Sequence, residues 1–171
     1  MSVNISPLQL SQPTIVEDIA LILQQSQFPA QMLELEITES LLITDIKAAK
    51  AVLFQLKQLK VRIALDDFGK GYSSLNYLTQ FPIDTLKIDK AFINSMLPIE
   101  TSNIVLKNII KLGNELQLDV IAEGVETHAQ LVKLKHYQCK IVQGFLFSPA
   151  LNAFATQSLL KQSHIMSDQL V

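Results

Sequence analysis

Two periods alternate along the chain. Short runs rich in Leu, Ile and Val predict strands at Leu33 to Ile37, Val61 to Leu65, Thr85 to Ile88, Asp119 to Ala122 and Lys140 to Gln143. "MSVNIS" at the start reads as the tail end of a sixth. Longer segments of helical period lie between them, near Thr14 to Gln27, Asp45 to Leu59, Ser73 to Gln80, Ser102 to Leu116, Thr127 to His136 and Ala153 to Gln162. Thr44 or Asp45 and Thr127 stand where helix caps belong. Strand followed by helix, repeated, predicts an α/β domain with parallel strands. No linker, low-complexity tract or short repeat divides residues 1–171.

The polar residues add a second pattern, because each strand run ends at its carboxyl side in a functional type. Asn4 follows Val3, Glu36 and Glu39 flank Ile37, and Asp66 and Asp67 follow Leu65. Lys87 and Asp89 flank Ile88, Glu123 and Glu126 follow Ala122, and Gln143 closes the last run. Singly, each has an ordinary reading as a helix cap, a turn residue or a surface charge. Together they point to one site, since parallel α/β sheets open the carboxyl ends of all strands on one face. Adjacent carboxylates resist burial and call for a compensating cation.

The donor set is hard oxygen: Glu36, Asp66, Asp67, Glu123, the amide oxygen of Asn4, and Gln143 as a further candidate. It suits Mg²⁺ or Mn²⁺ better than zinc. Two such ions would support in-line displacement at phosphorus, with Lys87 holding the attacking water or stabilising charge on the phosphate. Gly69 and Gly71 in "DFGKGYSSL" touch on a dinucleotide fingerprint, but the third position is Ser74. A hinge loop, with Ser73 capping the next helix, accounts for the stretch better.

Composition narrows the class. A chain of 171 residues, 49% of them hydrophobic, can bury one sizeable core. Its formal net charge of -2, without a Lys/Arg cluster, argues against a nucleic-acid polymer as partner and leaves a small nucleotide open. Cys139 is the single cysteine, which excludes an internal disulfide, fits a reducing cytoplasm and reads as an inert thiol. His128, His136 and His164 lack metal-ligand spacing and are expected at the surface. Neither a targeting segment nor an apolar run of about 20 residues is present, so no membrane segment is expected in this chain.

Four blocks, "LELEITES", "ALDDFGKGYSSLNYLTQFPIDTLKIDKAFI", "VIAEGVET" and "QGFLFS", resemble in that order the EAL domain family of bacterial cyclic diguanylate phosphodiesterases. The resemblance runs from "VNIS" to "QGFLFSPAL" and implies a TIM-type barrel that uses two metal ions to hydrolyse one phosphodiester bond, yielding linear pGpG. By that resemblance Asn4, Glu36, Asp66, Asp67 and Glu123 are metal ligands, Lys87 orients or activates the water, and Asp89 supports the same region. It further implies that Glu39 anchors the loop Phe68, Gly69, Lys70, Gly71, Tyr72, Ser73 and Ser74. Glu126 is then an acid behind the ligands and Gln143 a substrate-side residue. That loop is similar to a segment that couples dimer contact to catalysis.

The departures carry their own expectations. The Glu-Ala-Leu signature is absent, Lys70 replaces the usual Thr, and "FSPAL" replaces "FSKPL" near the nucleotide rim. The chain begins at what resembles the third of eight strands, and a whole barrel needs roughly 200 to 250 residues. A partial (β/α) barrel of the last six units is therefore expected, N-terminally incomplete, with open edges, exposed apolar surface and homo-oligomers. The expected activity is cyclic diguanylate hydrolysis, weak or absent in this chain alone, in a parent carrying an upstream sensory or diguanylate cyclase domain. The alternative is a non-catalytic module that binds the dinucleotide or a partner protein.

Overall fold

A computed structural model describes residues 1–39, 46–69, 78–96 and 100–162. Along the chain come β1 (Ser2–Asn4), α1 (Pro7–Leu10), α2 (Ile15–Ser26), a 3₁₀ turn (Ala30–Met32), β2 (Glu34–Thr38), α3 (Ile46–Gln58) and β3 (Arg62–Phe68). They are followed by β4 (Thr85–Ile88), α4 (Lys90–Asn94), α5 (Glu100–Glu115), β5 (Asp119–Ala122), α6 (His128–His136), β6 (Ile141–Val142) and α7 (Ala153–Gln162). The strands form one parallel sheet in the order β1-β2-β3-β4-β5-β6, so spatial order equals chain order. Such a sheet is the partial TIM-type architecture expected, open at β1 and β6.

Alternation divides the sheet into two faces. Leu35, Ile37, Ile63, Leu65, Leu86, Ile88, Val120 and Ala122 are all at most 4% exposed and pack among the helices. Against them α2 sets Ile15 and Ile19, and α3 sets Ala49, Leu53 and Leu56, at helical spacing. Ile93 of α4, Leu106 and Ile110 of α5, and Leu131 and Leu134 of α6 close the core over β4 and β5. Cys139 lies in that second cluster, and burial pushes its thiol up to about 11, so it is the inert thiol expected. His128 and His136 are exposed, as expected.

Five non-glycine residues among those described have positive φ. Four of them, Gln27, Lys60, Gln117 and Gln138, follow the ends of α2, α3, α5 and α6 and turn the chain back toward the next strand. The fifth, Asp67, sits inside β3. Most predicted strands agree within a residue or so, but β3 runs three positions past the expected end at Leu65, through both aspartates to Phe68. The short helices α1 and α4 had no clear period to announce them. Thr44, Asp45, His164 and most of the predicted helix Ser73 to Gln80 lie outside the described residues.

Both sheet edges carry apolar surface. Val3 and Ile22 are 39% and 60% exposed near β1, and Ile141 and Phe145 are 41% and 70% exposed at and after β6. No described helix is long and apolar enough to cross a membrane.

Candidate active site

The face of the sheet turned away from the helices is polar, and it is layered. At the amino ends of the strands, Arg62 reaches Glu34 (Nε to Oε2, 3.3 Å), Thr85 (3.0 Å) and the Asp119 carboxylate. Thr85 Oγ1 also donates to Glu34 Oε2 at 2.6 Å, and Ser2 Oγ to Glu34 Oε1 at 3.2 Å. Burial acts to lower the proton affinity of Arg62, but Asp119 and Glu34 outweigh it and raise it. No motif marks this layer; its signal in the sequence is the period of two in "ELEIT", "RIALD" and "TLKI", which sends Glu34, Arg62 and Thr85 to the same face as Glu36, Asp66 and Lys87.

One step toward the carboxyl ends, Lys87 lies at the centre of the second layer. Its Nζ stands 2.7 Å from Glu36 Oε2, 2.8 Å from Glu123 Oε1 and 3.6 Å from Asp66 Oδ1. Lys87 and Glu36 are only 4% and 8% exposed. Burial works against the charged ammonium, yet hydrogen bonds to Glu123 and Glu36 and the charges of Glu123 and Asp66 raise its pKa well above the ordinary value. Glu123 does not gain in return. Burial pushes its carboxyl up, Lys87 pulls it down, Asp66 and Glu36 push it up again, and the net direction is up. Burial is the largest contribution, and the one ammonium, shared with Glu36 and Asp66, does not offset it.

The aspartate doublet is a β-bulge. Ala64 pairs with Thr85 and Leu65 with Leu86, but Phe68 pairs with Ile88, so Asp66 and Asp67 together lie opposite Lys87. Strict alternation would have sent Asp67 to the helix face and Phe68 to the polar face. The extra residue resets the phase: Asp66 meets Lys87, and Phe68 is buried with the core. Asp67 absorbs the bend at φ 56°, and its N–H donates to Asp66 Oδ1 at 2.8 Å. Gly69 follows at φ +99°, where an added Cβ would fall 2.5 Å from the Phe92 ring.

The other expected site residues fall around this centre. Asn4, on edge strand β1, pairs in register with Glu36 and is exposed. Asp89 is buried and caps α4, accepting from the Ala91 N–H at 2.8 Å. Glu39 is buried just past β2. Glu126 and Gln143 are exposed; the structure links them to the site through backbone, at the loop after β5 and the end of β6. Phe68 and Gly69 of the expected regulatory loop are described, whereas Lys70, Gly71, Tyr72, Ser73 and Ser74 lie outside the described residues.

Among the described residues no three His, Cys, Asp or Glu side chains are gathered for direct metal binding, and the Lys87 ammonium is what Glu36, Asp66 and Glu123 share. The donor chemistry nevertheless fits a hard divalent cation. Three carboxylates, those of Glu36, Asp66 and Glu123, face one ammonium, Asp67 follows Asp66 in the chain, and every donor is oxygen.

The EAL domain family's sequence profile matches residues 1–150. The chain belongs to the EAL domain family. It is 38% identical over 161 residues to the cyclic di-GMP phosphodiesterase NbdA of Pseudomonas aeruginosa, covering 94% of this chain and 21% of that protein. The PaMucR phosphodiesterase, solved in complex with c-di-GMP, is 38% identical with a TM-score of 0.87 over 91% of this EAL domain and 63% of that chain. Klebsiella pneumoniae BlrP1, solved with c-di-GMP and manganese or calcium, is 30% identical with a TM-score of 0.81 over 86% of this chain and 38% of its own. This EAL domain spans 18% to 26% of the length of the curated relatives it matches.

The bulge makes a prediction about Asp67. Asp67→Gly relieves the positive φ at some cost in chain entropy. Asp67→Val should be less stable than Asp67→Gly by roughly 1–3 kcal/mol, because a β-branched residue is strained there. Equal midpoints for the two variants would contradict the bulge.

Proposed function

We propose that this EAL domain carries most of a divalent-cation-dependent site that hydrolyses one phosphodiester bond of cyclic diguanylate to linear pGpG. The observation that carries the reading is the convergence of Glu36, Asp66 and Glu123, from three strands' worth of backbone, on Lys87. The carboxylates of Glu36, Asp66, Asp67 and Glu123, with the Asn4 amide oxygen, would hold Mg²⁺ or Mn²⁺. Ions of that kind supply a water of lowered pKa and stabilise the oxygens of an in-line displacement. The BlrP1 complexes with manganese and calcium support the use of a divalent ion at such a site.

Lys87 has three donors and no acceptor, so it serves by charge and hydrogen bonding, steadying the attacking water and the phosphate oxygens. Asp89 fixes the end of β4 by capping α4, which holds Lys87 in register. Glu39 is assigned to anchoring the regulatory loop, Glu126 to supporting the loop after β5, and Gln143 to the substrate side. The domain works in the cytoplasm, within a longer protein that carries a sensory or diguanylate cyclase partner. The description of MucR as a bifunctional diguanylate cyclase/cyclic di-GMP phosphodiesterase supports that setting.

Incubation of the chain with cyclic diguanylate and Mn²⁺ or Mg²⁺, followed by chromatography, tests the reaction. The expected result is slow production of pGpG, on the order of 10²-fold or more below a closed barrel because the open sheet orients substrate poorly. Turnover should stop with chelator or in Glu123→Gln. Metal-independent binding of the dinucleotide without any pGpG would instead identify a non-catalytic binding module.

The apolar edges lead to a separate proposal, self-association of this chain. Sedimentation velocity should show mass rising with concentration in the micromolar range. A monomer at every concentration would contradict it.

A further inference from the structure

Gln130 lies on α6, away from the carboxylate layer, yet it is only 5% exposed. Its position is that of an ordinary capping-box residue: Thr127 caps α6, the Gln130 N–H donates to Thr127 Oγ1 at 3.2 Å, and Gln130 Oε1 accepts from the Thr127 N–H at 3.0 Å. Such boxes normally sit in solvent and end at the helix they start. This one does not. Oε1 also accepts from the Glu126 N–H at 2.8 Å, one residue outside the helix, and Nε2 donates across to the Ile93 carbonyl of α4 at 3.4 Å. Lys133, one turn on, donates to the Met96 carbonyl beyond α4 at 3.0 Å.

The segment so gripped carries Glu123. At its start, the Glu123 N–H donates to the Ile88 carbonyl of β4 at 3.1 Å. In its middle, the Val125 N–H donates to Gln143 at 3.0 Å, and the Val125 carbonyl accepts from the Leu146 N–H at 3.0 Å. Gly144 lies so close that an added Cβ would fall 2.1 Å from the Val125 oxygen. At its end, the Glu126 and Thr127 N–H groups both converge on Gln130. The backbone between β5 and α6 is thus held at both ends, and the carboxyl-side hold is a single side chain that also ties it to the helix following Lys87 and Asp89.

We infer that Gln130 is a positioning residue, which fixes the Glu123 loop against α4 so that Glu123 and Lys87 keep the spacing needed to accept a divalent cation. This rests on the cation-dependent reading above. Two variants separate its parts. Gln130→Met keeps the volume and loses the acceptor, whereas Gln130→Glu keeps the acceptor for the Glu126 and Thr127 N–H groups, exchanges the long bond to Ile93 for a carboxylate oxygen facing that carbonyl, and adds a charge at the helix start.

Amide hydrogen exchange of the chain should show the Glu126 and Thr127 amides exchanging at least about 10-fold faster in Gln130→Met, with Leu86 and Ile88 unchanged. Mn²⁺ affinity, read by the electron paramagnetic resonance of free Mn²⁺, should fall about 10- to 100-fold in the same variant, as when support behind a metal ligand is lost. Gln130→Glu should restore both. If the parent binds Mn²⁺ and Gln130→Met binds it equally well, the positioning role is overturned and the functional reading stands. Faster exchange throughout the protein, unrescued by Gln130→Glu, also overturns it by making Gln130 only a stabilising residue. If the parent itself binds no Mn²⁺, the cation-dependent reading fails and the positioning role fails with it.

Discussion

The structure turns on a buried ammonium that must satisfy more carboxylates than it can neutralise. Lys87 is held in the polar layer by Glu36, Glu123 and Asp66. Removing one partner from such a buried cluster ordinarily costs about 3–5 kcal/mol, since the rest is left charged and poorly solvated. The cluster therefore constrains the strands as much as the strands position it. Burial raises the proton affinity of Glu123 most, Lys87 opposes it, and the neighbouring charges of Asp66 and Glu36 add to the rise.

Two devices let the sheet carry that charge without spoiling its core. Alternation sends Glu36, Asp66 and Lys87 to one face while Leu35, Ile37, Leu65, Leu86 and Ile88 fill the other. The bulge at Asp66 and Asp67 then allows two acids in succession opposite one lysine, before the strand regains its phase at Phe68. Beneath the site, the Arg62 layer joins β2, β3 and β5 and closes the polar face with paired charges. Above it, the Glu123 loop is braced from β4, β6 and α6. The result is a site built on strands, with the loop that carries Glu123 held by backbone and side-chain hydrogen bonds.

Much of this was legible before any coordinates. The alternation of runs predicts the parallel α/β order, and the recurrence of polar residues at strand ends points to Glu36, Asp66, Lys87 and Glu123, which the structure brings together. What escaped had physical reasons. The bulge depends on Asp67 adopting positive φ, which no period records, so β3 was expected to stop at Leu65. Arg62 and Asp119 sit at the starts of their strands and look like loop charges until register brings them together. Gln130 carries no signal in the sequence, because the contact that distinguishes it, to Ile93, spans 37 residues. Asp89, by contrast, stands among the strand-end polar residues and also serves as the cap of α4.

The central claim is that the carboxylates around Lys87 carry an excess of charge that a divalent cation relieves. A ligand that binds only the native state stabilises it, by about 2.7 kcal/mol at a concentration 100 times its dissociation constant. Urea unfolding of the chain with and without Mn²⁺ is the direct measurement. The account predicts a higher midpoint with Mn²⁺, and loss of that rise in Asp66→Asn. Identical midpoints in the presence and absence of Mn²⁺ would mean that Lys87 alone satisfies the cluster, and would contradict it.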